Sequence, residues 1–432
     1  MPAVHFPLRS SWWCIVAVCL LAVASCIGCG GKAASESKAE PRIEKPKPPT
    51  AVAMWLGNPT RTFFGSGPMP KSLKAYWSFT TGFARGHLHP DPWGGSGWPG
   101  QPAIVGDRVY FGSADSYVYC VNKSDGTLIW KFKTTDSAKS SPCVVGDRLV
   151  IGNLDHTVYC LNANDGTLDW KYQTGFETDS SSSIVDDRVY IGGEDHFYYC
   201  FDLKDGKIIF KTQLGGSVEG GTTVVGDRIY VDTEAGDLFC LNRNDGSIVW
   251  KARIGADSNS TPAVVNGFVY TAAEDGIIRC YKEDTGDLVW TYKAEGGLNQ
   301  KTKEKNGFWA SPIVVKNRLY IGCNSGYMYC LSADKGELIW RHQVRAAIWG
   351  TSPVVDDRVV FGDKSGYVYI LSANNGDRIA ELKIGDNVDA TPAILDGRIY
   401  VGAFNGKFYC LGEDPAVSSQ RPVVSQTPRA GN

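Results

Sequence analysis

Side chains that could do chemistry are few in this sequence, and their spacing is uninformative. His87 and His89 lie near Asp91, while His156 and His196 occupy equivalent turns of two neighbouring repeat units. Imidazole and carboxylate groups can ligate zinc, but these spacings match no established motif, so we expect no metal site. No serine–histidine–aspartate set, phosphate-binding loop or carboxylate pair stands out. The sequence therefore predicts no catalytic residue.

The cysteines are better explained by packing than by reactivity. The chain has 13 cysteines, and seven share one repeat position: Cys120, Cys160, Cys200, Cys240, Cys280, Cys330 and Cys410. Equivalent positions of neighbouring units lie a whole unit apart, beyond the Cα separation of about 7 Å that a disulfide allows. Buried free cysteine behaves as a small apolar residue. We expect these thiols to be core residues, and Cys143 and Cys323 have no evident pairing partner.

A phrase of about forty residues recurs along the chain. It contains an apolar–aromatic–cysteine run, an Asp-Gly turn and a tryptophan, as at Cys160, Gly166 and Trp170. Such a period is typical of solenoids, propellers and arrays, because one unit cannot bury its apolar face alone. Each unit divides into four short runs of alternating, β-branched and aromatic residues bounded by turn residues, which predicts four strands.

The number of runs predicts how the fold closes. The first run occurs eight times, but the eighth unit ends after its third run, at Leu411. Residues 75–79, around Trp77, match the missing fourth run. We therefore predict an all-β fold, an eight-bladed β-propeller of four-stranded blades whose ring is closed by an N-terminal strand and has no free edge. The residues expected to dock one blade on the next are Trp77, Trp130, Trp170, Phe210, Trp250, Trp290 and Trp340.

One face of this propeller carries the candidate binding residues. Connections from fourth to first strands lie on that face, and the one at 295–309 exceeds the regular period by about ten residues. The candidate partner- or ligand-binding residues there are Trp93, Trp98, Phe308, Trp309, Arg345 and Trp349. Two interpretations stay open: the aromatics anchor a protein partner, or they fill the top of the central channel as core.

The first residues indicate export. Arg9 precedes a short apolar run at 12–24, and Cys26 follows a small residue, as in a bacterial lipoprotein signal; Cys29 is the alternative lipidation site. An uncleaved anchor or a plain secretory signal is the competing interpretation. Neither cysteine precedes an aspartate, which favours the outer membrane. The predicted organisation is a signal peptide at 1–25, a flexible tether at 26–53, the propeller at 54–413 and a disordered tail at 414–432.

The repeat resembles the tryptophan-docking repeat of pyrroloquinoline quinone (PQQ)-type propellers, as at residues 326–331 and 336–340. The resemblance covers essentially the whole repeat region. That family includes quinoprotein dehydrogenases, which oxidise alcohols or sugars with PQQ, and non-enzymatic propellers such as the BamB-like outer-membrane assembly lipoproteins. The adjacent cysteine pair usual in the quinoprotein alcohol dehydrogenases is missing here. The family's calcium ligands and catalytic aspartate cannot be placed on this chain.

The resemblance therefore implies a membrane-tethered, periplasmic propeller that binds proteins, with outer-membrane protein assembly as the specific expectation. We expect no enzyme activity, no cofactor, a monomer, and other envelope proteins as partners. The alternatives are a PQQ-dependent dehydrogenase with calcium, and a sensor that binds a quinone or a carbohydrate. The formal net charge of −2 gives no basis for nucleic-acid binding.

Overall fold

The computed structural model describes residues 51–84, 93–95, 100–295 and 306–413, with the backbone alone at 84, 93 and 94. Every regular element in these ranges is a β-strand. The same residues contain no helix whose length and apolar character would allow it to span a membrane. The predicted signal peptide, both lipidation candidates and the predicted tail lie outside the described residues.

The strands form eight antiparallel four-stranded sheets, which confirms the predicted propeller. The strands of blades 1 to 4 are, in chain order, Ala103–Val105, Arg108–Ser113, Tyr117–Asn122 and Leu128–Lys133; Cys143–Val145, Arg148–Asn153, Thr157–Asn162 and Leu168–Gln173; Ser183–Val185, Arg188–Gly192, Phe197–Asp202 and Ile208–Gln213; Thr223–Val225, Arg228–Thr233, Asp237–Asn242 and Ile248–Arg253. The first strands of neighbouring blades contact one another and line the channel at the centre of the ring.

Blades 5 to 8 follow the same plan. Their strands are Ala263–Val265, Phe268–Ala272, Ile277–Lys282 and Leu288–Lys293; Ile313–Val315, Arg318–Gly322, Tyr327–Ser332 and Leu338–Gln343; Val354–Val355, Arg358–Gly362, Tyr367–Ser372 and Arg378–Lys383; Ala393–Leu395, Arg398–Ala403 and Lys407–Gly412, completed by Lys74–Thr80. A short hairpin of Phe83–Ala84 and Trp93–Gly94 leads into blade 1.

The ring closes as the sequence predicts. Lys74–Thr80 pairs antiparallel with Lys407–Gly412, and Trp77 lies opposite Cys410. The indole N–H of Trp77 donates a hydrogen bond of 3.2 Å to the carbonyl oxygen of Lys123 in blade 1. The N-terminal strand and the last strands of the propeller are therefore joined in one blade, and that blade docks on the next through a tryptophan, as most of the others do.

One contact between neighbouring blades repeats around the ring. The residues that make it, which we call the blade-docking column, are Trp77, Trp130, Trp170, Phe210, Trp250, Trp290 and Trp340. Trp130 illustrates it, because its Nε1 donates to the carbonyl of Ala163 at 3.0 Å. Its ring also lies against Gly166 of the Asp-Gly turn in the next blade, where an added Cβ would stand 2.6 Å from the ring. Gly166 has a φ of 76°, so both the backbone and the close approach require glycine. The regular Asp-Gly turn and the regular tryptophan are two halves of one contact.

A second inter-blade contact repeats at the inner end of the ring. The backbone N–H of Thr261 donates to the Ser311 hydroxyl, that of Ser311 to the Thr351 hydroxyl, and that of Thr351 to the Thr391 hydroxyl. These residues are buried, where an unpaired N–H would be costly. The serine or threonine just before each first strand thus links neighbouring blades in blades 5 to 8.

The N-terminal segment enters the centre of the ring. Val52 forms a β-bridge with Ile104 and is fully buried, so residues 52 and 53 belong to the packed fold rather than to the tether predicted at 26–53. Arg61 is 2% exposed and donates to the carbonyl of Thr222 at 2.8 Å and to the Ser183 hydroxyl at 2.7 Å. This segment therefore closes the channel from within, which the sequence analysis missed.

The cysteine prediction is also confirmed. All nine cysteines in the described ranges are buried and free of disulfides. Burial raises the pKa of Cys160 to about 12, so this thiol remains neutral and unreactive at physiological pH.

Candidate functional site at the channel mouth

Three sets of equivalent positions surround the open end of the channel. One set is the hairpin between second and third strands, which includes Glu194, Glu234 and Glu274 at forty-residue spacing. The other two lie in the connection between blades, one including Glu177 and Asp257, the other Asp179 and Glu219. The backbone joins the loops, because the N–H of Glu194 donates to the Glu177 carbonyl at 3.0 Å. We call these sets the mouth positions.

A cavity of about 370 Å³ opens between these loops. Its size falls within the range of small-ligand sites in proteins. Seven carboxyl side chains line it, which we call the acidic crescent: Glu177, Asp179, Glu194, Glu219, Glu234, Asp257 and Glu274. Lys139 is the one basic residue among the described residues of the lining. The crescent follows blades 3 to 5, so one side of the mouth is strongly acidic.

The acids of the crescent lie close enough to disfavour each other's ionisation. Burial, the charge of Asp179 and a hydrogen bond with Glu234 raise the pKa of Glu219 to about 11. Burial and the same aspartate raise the pKa of Glu194 to about 9. Burial is also the main cause that raises the pKa of Asp257 to about 6. Like charges held together in a partly desolvated site favour the protonated forms. A cationic group placed here would favour ionisation again.

Two tryptophans face the crescent from blades 6 and 7. Trp309 and Trp349 stack with ring centroids 4.1 Å apart and planes inclined by 26°; we call them the tryptophan pair. Trp309 Nε1 donates to a carboxylate oxygen of Glu274 at 2.5 Å, which ties the pair to the end of the crescent. The Lys364 ammonium lies 3.2 Å from the centre of the Trp349 ring. Both rings remain partly exposed.

The floor of the cavity comes from the N-terminal segment. Trp55 is 6% exposed and lines the cavity beside Gly221. Its backbone carbonyl accepts a hydrogen bond from the Arg61 guanidinium, which fixes the segment below it. The cavity is therefore a cup with an acidic wall, an aromatic wall and an indole at its base.

The structure places the predicted binding residues in different environments. Trp309 and Trp349 come together at the cavity and stay partly exposed. Phe308 does not, because it is fully buried and packs edge-on against Tyr329, so it is part of the core and unavailable to a partner. For this residue the core interpretation holds.

Arg345 lies apart from the cavity lining. Its guanidinium forms two hydrogen bonds with Glu381, at 2.8 and 2.9 Å, and covers the Tyr367 ring at 4.1 Å. It therefore joins blade 6 to blade 7. Trp98 lies outside the described residues, and of Trp93 only the backbone is described, in the hairpin before blade 1.

The histidines show no metal-binding arrangement in the part of the chain that can be assessed. Within the described ranges, no three or more histidine, cysteine, aspartate or glutamate side chains are grouped so as to hold a metal ion. His156 and His196 adopt positive φ angles of 65° and 71° at the tips of their hairpins. His87, His89 and Asp91 lie outside the described residues.

The sequence analysis predicted neither the acidic crescent nor Trp55 as part of a site. The signal was present, since Glu194, Glu234 and Glu274 occupy one repeat position where other blades have Leu154 or Lys364. Within a repeat, clustering of one chemical type at a variable position indicates a shared site. The floor had no comparable signal, because residues 51–73 precede the repeats.

The ring of eight blades and the tryptophan–glycine docking contact define a PQQ-like, tryptophan-docking β-propeller. A family model described as outer membrane protein assembly factor BamB matches residues 74–217 and 197–352, more than half of the chain. The chain therefore belongs to this BamB-type family of PQQ-like repeats. A search among curated proteins found no match.

Solved structures of two functional classes share the fold. BamB from Moraxella catarrhalis is 17% identical with a TM-score of 0.59, over 78% of this chain and 97% of that chain. A europium-containing methanol dehydrogenase is 13% identical with a TM-score of 0.68, over 85% and 98%. A quinohemoprotein alcohol dehydrogenase from Comamonas testosteroni is 13% identical with a TM-score of 0.69, over 89% and 82%. At these identities the likeness establishes the fold alone.

Proposed function

We propose that this protein is a non-enzymatic protein-binding scaffold of the bacterial cell envelope, with outer-membrane protein assembly as its setting. The observation that carries the proposal is the tryptophan pair, which is partly exposed beside a cavity. Partly exposed tryptophans in a preformed depression are typical anchors of protein interfaces. The description of the matching family model agrees with this role.

The setting follows from the sequence. A lipid on Cys26, or on Cys29, would tether the propeller to the outer membrane on its periplasmic side, and residues before Val52 would span the distance to the surface. The ring closure gives each blade a neighbour on both sides, which fits a monomer. Other envelope proteins are the proposed partners.

The channel mouth is a poor fit for PQQ. PQQ is a tricarboxylate, whereas the described residues of the cavity lining present seven carboxyl groups and one lysine. An anionic quinone placed there would be repelled by every carboxyl group that is ionised, and its own charge would disfavour their ionisation further. This chemical mismatch favours the scaffold over the dehydrogenase.

The scaffold proposal can be tested by co-purification. The lipidated protein with an affinity tag should recover defined envelope proteins from detergent-solubilised membranes, and Trp309→Ala or Trp349→Ala should lose at least one of them. Phe176→Ala is the matched control, because Phe176 is an exposed aromatic whose ring lies tilted against that of His156, with the centroids 5.2 Å apart, and it is not among the residues lining the cavity. Unchanged recovery of every partner by both tryptophan variants would refute the proposed site.

The dehydrogenase alternative has its own test. Purified protein would be incubated with PQQ and calcium, then assayed for bound quinone absorbance and for dye-linked oxidation of alcohols and sugars. We expect neither signal. Stoichiometric quinone binding with turnover would overturn the scaffold assignment.

A further inference from the structure

The acidic crescent has more carboxyl groups than the fold requires. Its carboxyl groups come from loops of three successive blades, and their mutual repulsion opposes folding rather than supporting it. At the hairpin position that Glu194, Glu234 and Glu274 share, the other blades have neutral or basic side chains, such as Leu154 and Lys364. The propeller can therefore form without these acids, so their accumulation at one cavity needs another explanation.

Polar atoms inside the cavity lack partners. Among the described residues, Asp179 Oδ1 and Asp257 Oδ1 are buried and accept no hydrogen bond. Independently, Nε1 of Trp55, a side chain more than nine-tenths buried, has no acceptor, and neither does Nε1 of Trp349. Buried polar groups without partners are unfavourable unless a ligand or water satisfies them. Cationic donors would satisfy the unpaired carboxyl oxygens of Asp179 and Asp257, and acceptor oxygens would satisfy the unpaired indole N–H groups of Trp55 and Trp349.

We propose that the channel mouth binds a flexible peptide segment rich in lysine or arginine, whose side chains meet the acidic crescent and whose backbone carbonyls accept from Trp55 and Trp349. This inference rests on the proposed scaffold function and specifies the chemistry of the partner. A peptide supplies cations and carbonyl oxygens together, whereas a simple polyamine supplies cations alone. Because the acids form no compact cluster of metal-ligand geometry among the described residues, an extended polycation suits them better than a metal ion.

The test uses a fluorescein-labelled peptide of alternating lysine and serine residues, titrated with the full chain at physiological ionic strength and followed by anisotropy. We expect saturable binding to the wild-type protein. E219Q/E234Q should weaken binding by roughly tenfold or more, because it removes two carboxyl groups that can ionise and pair with the cationic side chains of the peptide. The matched control is D284N/E337Q, which removes two exposed acids from turns on the opposite face, and it should bind as the wild type does.

Trp55→Phe separates the acceptor part of the proposal from the charge part. It keeps the aromatic floor but removes the N–H, so binding should weaken by roughly threefold, the effect of one hydrogen bond. Spermidine, matched in ammonium concentration, should compete poorly with the peptide. Thermal unfolding of each variant checks that the fold is retained.

The outcomes are decisive for each proposal separately. Equal loss of binding in D284N/E337Q and E219Q/E234Q, or complete displacement by spermidine, would overturn the peptide inference. If the peptide fails to bind while Trp309→Ala still loses an envelope partner, the scaffold stands and this inference falls. If the peptide binds but no envelope protein depends on the tryptophan pair, the scaffold proposal fails instead.

Discussion

The blade-docking column and the mouth positions belong to the same forty-residue repeat, yet the residue type is nearly constant from blade to blade in the column and changes at the mouth. In the column, tryptophan recurs in six of its seven members, and each lies against the turn glycine of the next blade. At one mouth position, the successive residues are Lys139, Asp179, Glu219, Asn259, Trp309, Trp349 and Asp389. The same backbone period therefore carries a nearly constant residue at one site and a different residue in most blades at the other.

The difference has a physical cause. A docking tryptophan contacts its own blade and the next, so a change there disturbs two blades and leaves a cavity. A mouth residue projects from a loop into an open cavity, where many side chains fit the same backbone. In this propeller, a repeat position with a constant residue type is therefore a packing position, and a repeat position with a variable residue type is a candidate for binding.

Removal of the closing strand should have the largest effect. Deletion of residues 71–82 removes Lys74–Thr80, exposes Lys407–Gly412 as a free edge and leaves blade 1 without Trp77. We expect unfolding or aggregation, measured by thermal denaturation and light scattering. Deletion of residues 414–432 is the control, because it leaves every described contact of blade 8 in place. A deletion of 71–82 with unchanged thermal unfolding would disprove closure by this strand.

A single docking tryptophan should matter more than a mouth tryptophan. Trp170 is 8% exposed and donates to the Leu203 carbonyl at 2.8 Å. Trp170→Ala should lower the free energy of unfolding by about 3–5 kcal/mol, through the cavity and the lost burial. Trp309→Ala, at a partly exposed position, should cost less than half as much. Urea denaturation of both variants measures the difference, and equal losses would remove the distinction between column and mouth.

The turn glycines test the other half of the docking contact. Gly166→Ala combines a positive φ with a Cβ placed 2.6 Å from Trp130, whereas Gly106→Ala, at a φ of 62°, meets nothing within 4 Å. Backbone strain alone costs about 1–2 kcal/mol, so Gly106→Ala should lose about that much. Gly166→Ala should lose clearly more, because the ring must shift. Similar losses, measured by urea denaturation, would show that the turn needs glycine for conformation only.

The sequence was sufficient for the architecture because the repeat encodes it many times. The missing fourth run of the last unit and the match of residues 75–79 to that run together identified the closing strand, and cysteines such as Cys160 were correctly predicted to be core. The site was less accessible. Phe308 and Trp309 are adjacent in sequence, and only the backbone direction at the loop sends one into the core and the other to the cavity. Arg61 and Trp55 lie before the repeats, so no periodic pattern could show that they fill the channel.

Glu219→Gln should change stability in the direction opposite to the other variants, and this sign separates the mouth from the column. The raised pKa of Glu219, about 11, means that the folded protein retains a proton that the unfolded chain releases near 4.5. The stabilising contribution of this carboxyl is therefore complete below about pH 4.5 and is lost progressively as pH rises toward 11. Glutamine cannot ionise, so the stability of the variant does not fall with rising pH for this reason.

We therefore expect Glu219→Gln to unfold at nearly the wild-type temperature at pH 5 and at a higher temperature than the wild type at pH 9, measured by differential scanning calorimetry. Glu337→Gln, which removes one exposed charge from the opposite face, is the matched control. Destabilisation of Glu219→Gln at pH 9 would mean that this carboxylate supports the fold. The mouth would then be a second packing region like the docking column, and its acids would need no ligand to explain them.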